Sequence, residues 1–322
     1  MRILVTGGAG FIGSNFLHYM TTKYPTYHFI NYDGLTYCGN VDNVKELVAK
    51  PNYTFVHGDI RNSALFRHVL KEHKVTHIVH FAAESHVDRS ITEPSIFFDT
   101  NVVGTSVLLE GAYEHGIEKF VHVSTDEVYG TLGSTGLFLE STPLAPNSPY
   151  SASKAGSDLA VRSYVETYGL NACITRCSNN YGPYQYPEKL LPLLITNIIE
   201  EKDLPIYGDG KNIRDWLHVE DHNRAIDVVL HQGEKGEVYN IGGNNERTNS
   251  EIAALLLQKM QPAKSEITFV ADRLGHDRRY AIDSSKLQRE LGWKPFYSFE
   301  EGLDETIEWY RTNVTWWKKL KR

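Results

Sequence analysis

The sequence predicts an α/β fold: a doubly wound parallel sheet followed by a smaller α/β lobe. Three observations predict it. Short runs rich in Val, Ile and Phe alternate with helix-length segments across the first 180 residues, the rhythm of parallel strands joined by crossover helices. A glycine-rich turn joins the first run to the first helix. The runs end on small or polar residues, and in an open parallel sheet ligands bind beyond those carboxyl ends.

Residues 2–6 read as a buried strand, and a helix through about residue 24 follows the glycines. Residues 28–32 are a second strand ending at Asp33, and 53–57 a third ending at Gly58, Asp59 and Ile60. A helix covers about 63–73. Residues 77–81 are a fourth strand, ending at Ala82, Ala83 and Glu84. A long helix spans 100–115, beginning at Thr100. The fifth strand, 119–124, runs straight into Thr125, Asp126 and Glu127. A helix over 150–168 and a sixth strand over 171–175 complete the pattern. From about Ser178 the rhythm breaks into a Pro- and Tyr-rich loop, then helices near 190–201, 219–231, 249–260 and 299–312 with short strands between. This divides the chain into a Rossmann domain over 1–180 and a substrate lobe over 181–322, with chain crossings between them.

The chain has 322 residues, 41% of them apolar and 23% charged, as expected of a globular protein with a full core. A net charge of −7 argues against nucleic acid or an anionic membrane as a bulk partner, although a few local cations suffice for an anionic small substrate. Cys38, Cys173 and Cys177 form neither a disulfide framework nor a metal spacing, so no metal site and a reducing, cytoplasmic setting are expected. Met1 leads directly into a strand, so no signal peptide is expected, and no apolar run reaches the roughly 18 residues of a membrane span. The basic, aromatic tail over 315–322 reads as a frayed, solvated final helix.

The glycines at 7, 10 and 13, with Phe11 and Ile12 between them, bring backbone N–H groups to a helix N-terminus, where a pyrophosphate binds. Asp33 lies 20 residues beyond Gly13. Its carboxylate suits the two ribose hydroxyls and repels a 2′-phosphate, which favours NAD over NADP. Asp33 also suits a turn cap beside Gly34. Asp59 and Ile60 flank the adenine position.

Tyr150 and Lys154 stand four apart, on one face of a helix. The ammonium of Lys154 is expected to draw the phenol of Tyr150 down from about 10. The hydroxyl of Thr125 completes a Thr–Tyr–Lys arrangement that takes a proton from a carbinol while a nicotinamide takes the hydride. A simple dehydrogenase has no use for the carboxyl pair Asp126–Glu127. Water elimination uses one group to remove a carbon-bound proton and another to protonate the leaving hydroxyl. Asp126 must then be neutral near pH ~7, through burial or through Glu127.

Residues 7–13, Asp33, 81–90, 124–130, 150–154, 176–192, 213–222, 239–243 and 272–283 together resemble the extended short-chain dehydrogenase/reductases that act on nucleotide sugars. The resemblance covers about residues 1–312. The loop between Met260 and Ile267 is short beside the family pattern. The resemblance implies an internal redox reaction on a hexose carried by a nucleotide, with Tyr150, Thr125 and Lys154 at the oxidation, Glu127 as base and Asp126 as acid. It implies NAD contacts from Ala82, Ala83, Thr100 and Asn179, besides the residues already given. It implies substrate contacts from Glu84, Ser85, Thr125, Asn179, Lys189 and Leu190. Pro205, Ile206 and Tyr207 would frame the base, and Arg214, Asn249, Asp272, Arg273 and His276 would meet the diphosphate and nucleoside. Arg278 and Arg279 are alternatively ion-pair partners of Asp277 or Asp283. His86 is expected to be structural. A homodimer is implied, built on the helices at 100–115 and 150–168. A 4-epimerase of the same family would share the NAD site and Tyr150–Lys154, with no use for the acid pair. The base of the nucleotide stays open, and a catalytically idle NAD-dependent sensor is the reading from another class.

Overall fold

Ile3, Leu4 and Val5 are wholly buried because strand β1 (Arg2–Thr6) lies inside a seven-stranded sheet. The structure, a computed structural model, describes residues 1–321. Helix α1 (Phe11–Lys23) leads to β2 (His28–Asp33) and β3 (Tyr53–His57), then α2 (Ser63–Glu72) and β4 (His77–His80). Two short helices, α3 (Val87–Thr92) and α4 (Pro94–Phe98), precede a π-helical turn over Asp99–Gly104 and α5 (Thr105–His115). The expected helix at 100–115 therefore opens in a widened turn, a feature common at functional sites. Strand β5 (Lys119–Thr125), helix α6 (Pro149–Tyr168) and β6 (Ala172–Cys177) complete the anticipated alternation.

The remaining elements are β7 (Asn179–Tyr181), α7 (Leu190–Ile199), β8 (Leu204–Tyr207), β9 (Ile213–His218), α8 (Val219–Gln232), β10 (Val238–Ile241), β11 (Glu246–Thr248), α9 (Asn249–Lys259), β12 (Ile267–Val270), α10 (Ser285–Leu291), α11 (Phe299–Thr312) and α12 (Val314–Leu320). The main sheet runs β3-β2-β1-β4-β5-β6-β10, and every pairing in it is parallel. Its last strand comes from beyond residue 180, and so do α8 and α10, whose apolar residues join the core on the α1 face. Residues of α2, α5 and α6 fill the other face. Five short strands form two small sheets, β7-β9-β11 and β8-β12, over a separate core drawn from α7, α9, α11 and α12.

The C-terminal tail departs from expectation. Trp316 and Trp317 of α12 are buried, and the indole of Trp317 donates to the carbonyl of Tyr310 at 2.8 Å. Two large apolar side chains outweigh the solvation of the neighbouring lysines, whose stems reach past the core to water.

Helix α6, which carries Tyr150 and Lys154, is fixed at both ends. Ser148 and Ser151 form a reciprocal capping box, Pro149 takes a first-turn position, and Gly169 ends the helix in the left-handed region. Behind the helix, Arg176 of β6 donates from Nε to Asp158 at 2.8 Å and from Nη1 to the Tyr129 hydroxyl at 2.9 Å. Burial pushes the Asp158 carboxyl up, but hydrogen bonding from His122 and the charge of Arg176 hold it below its ordinary value. Removing one member of a buried pair strands the other charge. Asp158→Ala is therefore expected to lower unfolding free energy by about 3–5 kcal/mol, as measured by denaturant titration. A cost below about 1 kcal/mol would mean that the pair behaves as a solvated one.

Candidate active site

A cleft opens beyond the carboxyl ends of the parallel strands. Gly7, Gly10, Phe11, Ile12, Gly13, Asp33, Asp59, Ile60, Ala82, Ala83, Thr100, Tyr150, Lys154 and Asn179 all line it. Gly7 has φ +69°, and a Cβ there would sit 2.6 Å from the backbone nitrogen of Ala82, so only glycine lets the turn pass the end of β4. No side chain caps the first turn of α1, which leaves its N–H groups directed at the cleft. The carboxylate of Asp33 is already oriented. One oxygen accepts from the N–H of Ala9 and the other from the N–H of Leu35, each at 2.8 Å. Asp33 thus caps the turn and also faces the cleft. The residues fit a dinucleotide: free N–H donors for a pyrophosphate, a held carboxylate for a ribose and the apolar side of Ile60 for a base. Asp59 is less free than expected, because Arg61 pairs with it at 2.6 Å and itself lines the cleft. Asp33→Asn is expected to weaken NAD binding about tenfold and to narrow the preference over NADP, read by titrating cofactor-stripped protein with each nucleotide. Unchanged affinities would remove Asp33 from the ribose.

The predicted catalytic residues come from the end of β5 (Thr125), the turn directly after it (Asp126 and Glu127) and the start of α6 (Tyr150 and Lys154). Thr125 accepts from the N–H of Glu127 at 3.2 Å and donates to Asp126 at 3.3 Å. The amine of Lys154 donates to the carbonyl of Val123 at 2.9 Å. Burial lowers Lys154 to about 8. Tyr150 behaves differently from expectation: burial, with Glu127 next in weight, pushes its phenol well above 10. The spacing to Lys154 does put both side chains in the cleft, but the lysine is spent on a carbonyl and two acids lie near the phenol. Asp126 is 1% exposed, and its second oxygen has no partner in the protein. Burial, then the charges of Glu127 and Asp215, raise it well above the ordinary range. Glu127 is also raised by burial, but Arg273, Arg214 and Lys189 pull against that rise.

Those three cations make a local positive wall in a chain of net charge −7. Lys189 reaches the carbonyl of Ser85 at 3.0 Å, and both residues line the cleft. Arg214 is 5% exposed, donates to the carbonyl of Asp277 at 3.0 Å and stacks on Tyr280 at 4.3 Å. Glu84 is buried, and Asn101 grips its backbone on both sides, at 2.9 and 3.0 Å. Tyr207 and Arg273 converge on Asp88 of α3, at 3.5 and 3.8 Å, and His276 pairs with Asp272 at 2.6 Å. Ile206 is fully buried in the second core, so its side chain is packing and only its backbone can meet a ligand. Pro205 and Leu190 are partly exposed, and Asn249 is buried with its carbonyl oxygen unpartnered. Arg278 and Arg279 pair with Asp209 and Glu246, at 2.8 and 2.6 Å, and not with Asp277 or Asp283. His86 caps α3 by accepting from the N–H of Arg89 at 3.3 Å.

Several lining residues were assigned no role from the sequence. Asn40, Asn43, Tyr184, Gln185, Trp316 and Leu320 come from loops and from the last helix. Asn101 lies in the π-helical turn, where spacing arguments for an α-helix do not apply. The paired tryptophans of the tail were the one available clue to its burial.

Comparison with known proteins agrees with this geometry. A family model described as GDP-mannose 4,6 dehydratase matches residues 4–306. A dTDP-glucose 4,6-dehydratase of Xanthomonas campestris pv. campestris is 53% identical over 331 residues, covering 97% of this chain and 94% of its own. The crystal structure of the dTDP-glucose 4,6-dehydratase DesIV from Streptomyces venezuelae, with NAD and TYD bound, superposes with a TM-score of 0.96 at 53% identity, covering 99% of this chain and all of that one. A dTDP-glucose 4,6-dehydratase of Bacillus anthracis in complex with NAD is 58% identical, with a TM-score of 0.92 and 99% of each chain covered. Matched over nearly its whole length, the chain belongs to the GDP-mannose 4,6 dehydratase family, among the extended short-chain dehydrogenase/reductases of nucleotide sugars.

Proposed function

We propose that this chain catalyses the NAD-dependent 4,6-dehydration of dTDP-glucose to the 4-keto-6-deoxy sugar, a step toward rhamnose or related deoxysugars. One observation carries the reading: two carboxyls in one turn, Asp126 buried and raised well above the ordinary carboxylate range and Glu127 opposed by three cations, lie near enough to Tyr150 to act on its phenol. An epimerase has no use for such a pair. Tyr150, with Thr125 and Lys154 beside it, takes the proton of the 4-hydroxyl. Glu127 removes the proton on C5, which the new ketone acidifies. Asp126 protonates the departing 6-hydroxyl, and Glu127 returns its proton to C5. When bound, NAD supplies the acceptor for the C4 hydride and gives the same hydride back at C6. The water released therefore carries away one hydroxyl and one proton, and the cofactor ends as it began. Residues 1–180 supply most of the cofactor site, and 181–322 most of the nucleotide contacts. Lys189, Arg214 and Arg273 suit the diphosphate, with Arg offering a planar fork at fixed charge.

A homodimer is part of the proposal. Leu108, Leu109 and Val161 are spent on the sheet, but Phe98, Val103 and Leu159 remain exposed on adjoining stretches of α4, the π-helical turn and α6. The three free cysteines support a cytoplasmic setting, and among the described residues no helix is long and apolar enough to cross a membrane.

Mass spectrometry of dTDP-glucose incubated with the purified protein, with no NAD added, tests the reading. Loss of one water with formation of a keto sugar is expected. An unchanged mass, with the sugar epimerised or untouched, would overturn it, and UDP-, CDP- and GDP-sugars would then be assayed.

A further inference from the structure

The glycine turn is held by its peptide groups. The N–H of Ala9 goes to Asp33, and its carbonyl accepts from the side-chain amide of Asn43 at 2.9 Å and from the N–H of Asn40 at 3.0 Å. Asn43 is 2% exposed, so the other end of its amide must also be satisfied. The donor comes from 273 positions away: the indole Nε1 of Trp316 reaches Asn43 Oδ1 at 2.8 Å. An unbroken line of hydrogen bonds thus joins the C-terminal helix to the turn beneath the pyrophosphate position. Trp316 and Leu320 also line the cleft itself, beside Asn40, Asn43 and Tyr184.

Helix α12 is firmly seated. Trp317 is fully buried in the second core, Lys321 reaches Asn197 and Glu200 at 2.7 and 2.9 Å, and Lys319 pairs with Asp42 at 3.2 Å. The rings of Trp309 and Trp316 both meet Tyr184 edge-on. The second lobe therefore puts one wall on the cofactor cleft of the first.

We infer that Trp316 is a positioning residue for the dinucleotide: through Asn43 it braces the glycine turn, and with Leu320 it walls the cleft so that the cofactor stays bound between turnovers. This rests on the NAD-dependent reading above. It also gives that reading something it needs. A reaction that borrows a hydride and returns it fails whenever the reduced cofactor leaves midway, so slow release is part of the chemistry.

The test measures dissociation of NADH from loaded protein, chased with excess NAD and followed by loss of its fluorescence. Trp316→Phe keeps the aromatic wall and deletes the N–H. It is expected to speed release about fivefold, the worth of one hydrogen bond. Trp316→Ala removes wall and bond together and is expected to speed release by ten- to a hundredfold, roughly, while KM for dTDP-glucose stays unchanged. Release within about twofold of the parent rate in both variants overturns the inference. Where Trp316→Ala does not fold, Trp316→Phe decides alone. A parent protein that neither carries nor binds NAD overturns the underlying reading as well, so the two failures are distinct.

Discussion

Glu127→Gln yields an enzyme that oxidises its substrate and then stops. The neutral amide fills the same space in the cleft but has no lone pair basic enough to take the C5 proton. Tyr150, Lys154 and Thr125 are untouched, so removal of the 4-hydroxyl proton proceeds. Elimination does not, and the hydride is not returned. Enzyme-bound NADH therefore accumulates toward one per site, visible by its absorbance, while overall turnover falls by about 10²–10⁴. The substrate recovered from the enzyme is a 4-keto sugar that still carries its 6-hydroxyl. Turnover near the parent rate, or no NADH signal, would take the base role from Glu127. Burial leaves this carboxyl raised overall, which makes it a stronger base once ionised, while Arg273, Arg214 and Lys189 pull it part of the way back toward the ionised form.

This contrast between two adjacent acids was only half legible in the sequence. That a pair was present, next to a hydroxyl and upstream of Tyr150 and Lys154, could be read from spacing alone, because β5 is a continuous buried run ending at the pair and α6 is a long, well-capped helix. The glycine turn and Asp33 were legible for the same reason. How far each acid is raised was not, since that depends first on burial, which the tertiary fold sets, and then on neighbours that include Asp215 of β9, about ninety residues away. The phenol of Tyr150 shows the same limit. Helix spacing correctly put Lys154 in the same cleft, but the carbonyl of Val123 and the nearby acids, all tertiary neighbours, set the outcome. Contacts made by single polar residues in irregular segments were illegible throughout. Asn101 holding Glu84 and Asn43 holding Ala9 have no periodicity to announce them. Strand β10 joins the main sheet from far along the chain for a related reason. A four-residue segment with Asn240 inside it does not show which sheet will accept it.

Asp126→Asn gives a dead but sturdier protein, and the sign follows from where its proton sits. Unfolded, the carboxyl ionises near 3.8, whereas folded it stays protonated to a much higher pH, first through burial and then through Glu127 and Asp215. Between those two values the native state binds one more proton than the unfolded state. Stability therefore falls as pH rises, by up to about 1.4 kcal/mol per pH unit for this group. The contribution is fully present below the unfolded value and is lost by the folded one. Asn does not titrate, keeps an oxygen for the Thr125 hydroxyl and carries no such loss. The variant and its parent should unfold alike near pH ~4 and diverge in the variant's favour toward neutrality. Asp215, raised by burial to about 6, titrates in both proteins and cancels from the difference. Turnover should fall about 10²–10³-fold, because no acid remains to protonate the leaving hydroxyl. Denaturant titrations across that pH range decide the point, and parallel stability curves would mean that Asp126 is ionised in the native protein and is not the acid. Divergent curves with lost activity would show a site that gives up stability for a proton kept ready in the wrong solvent, the trade expected where function and folding compete for one residue.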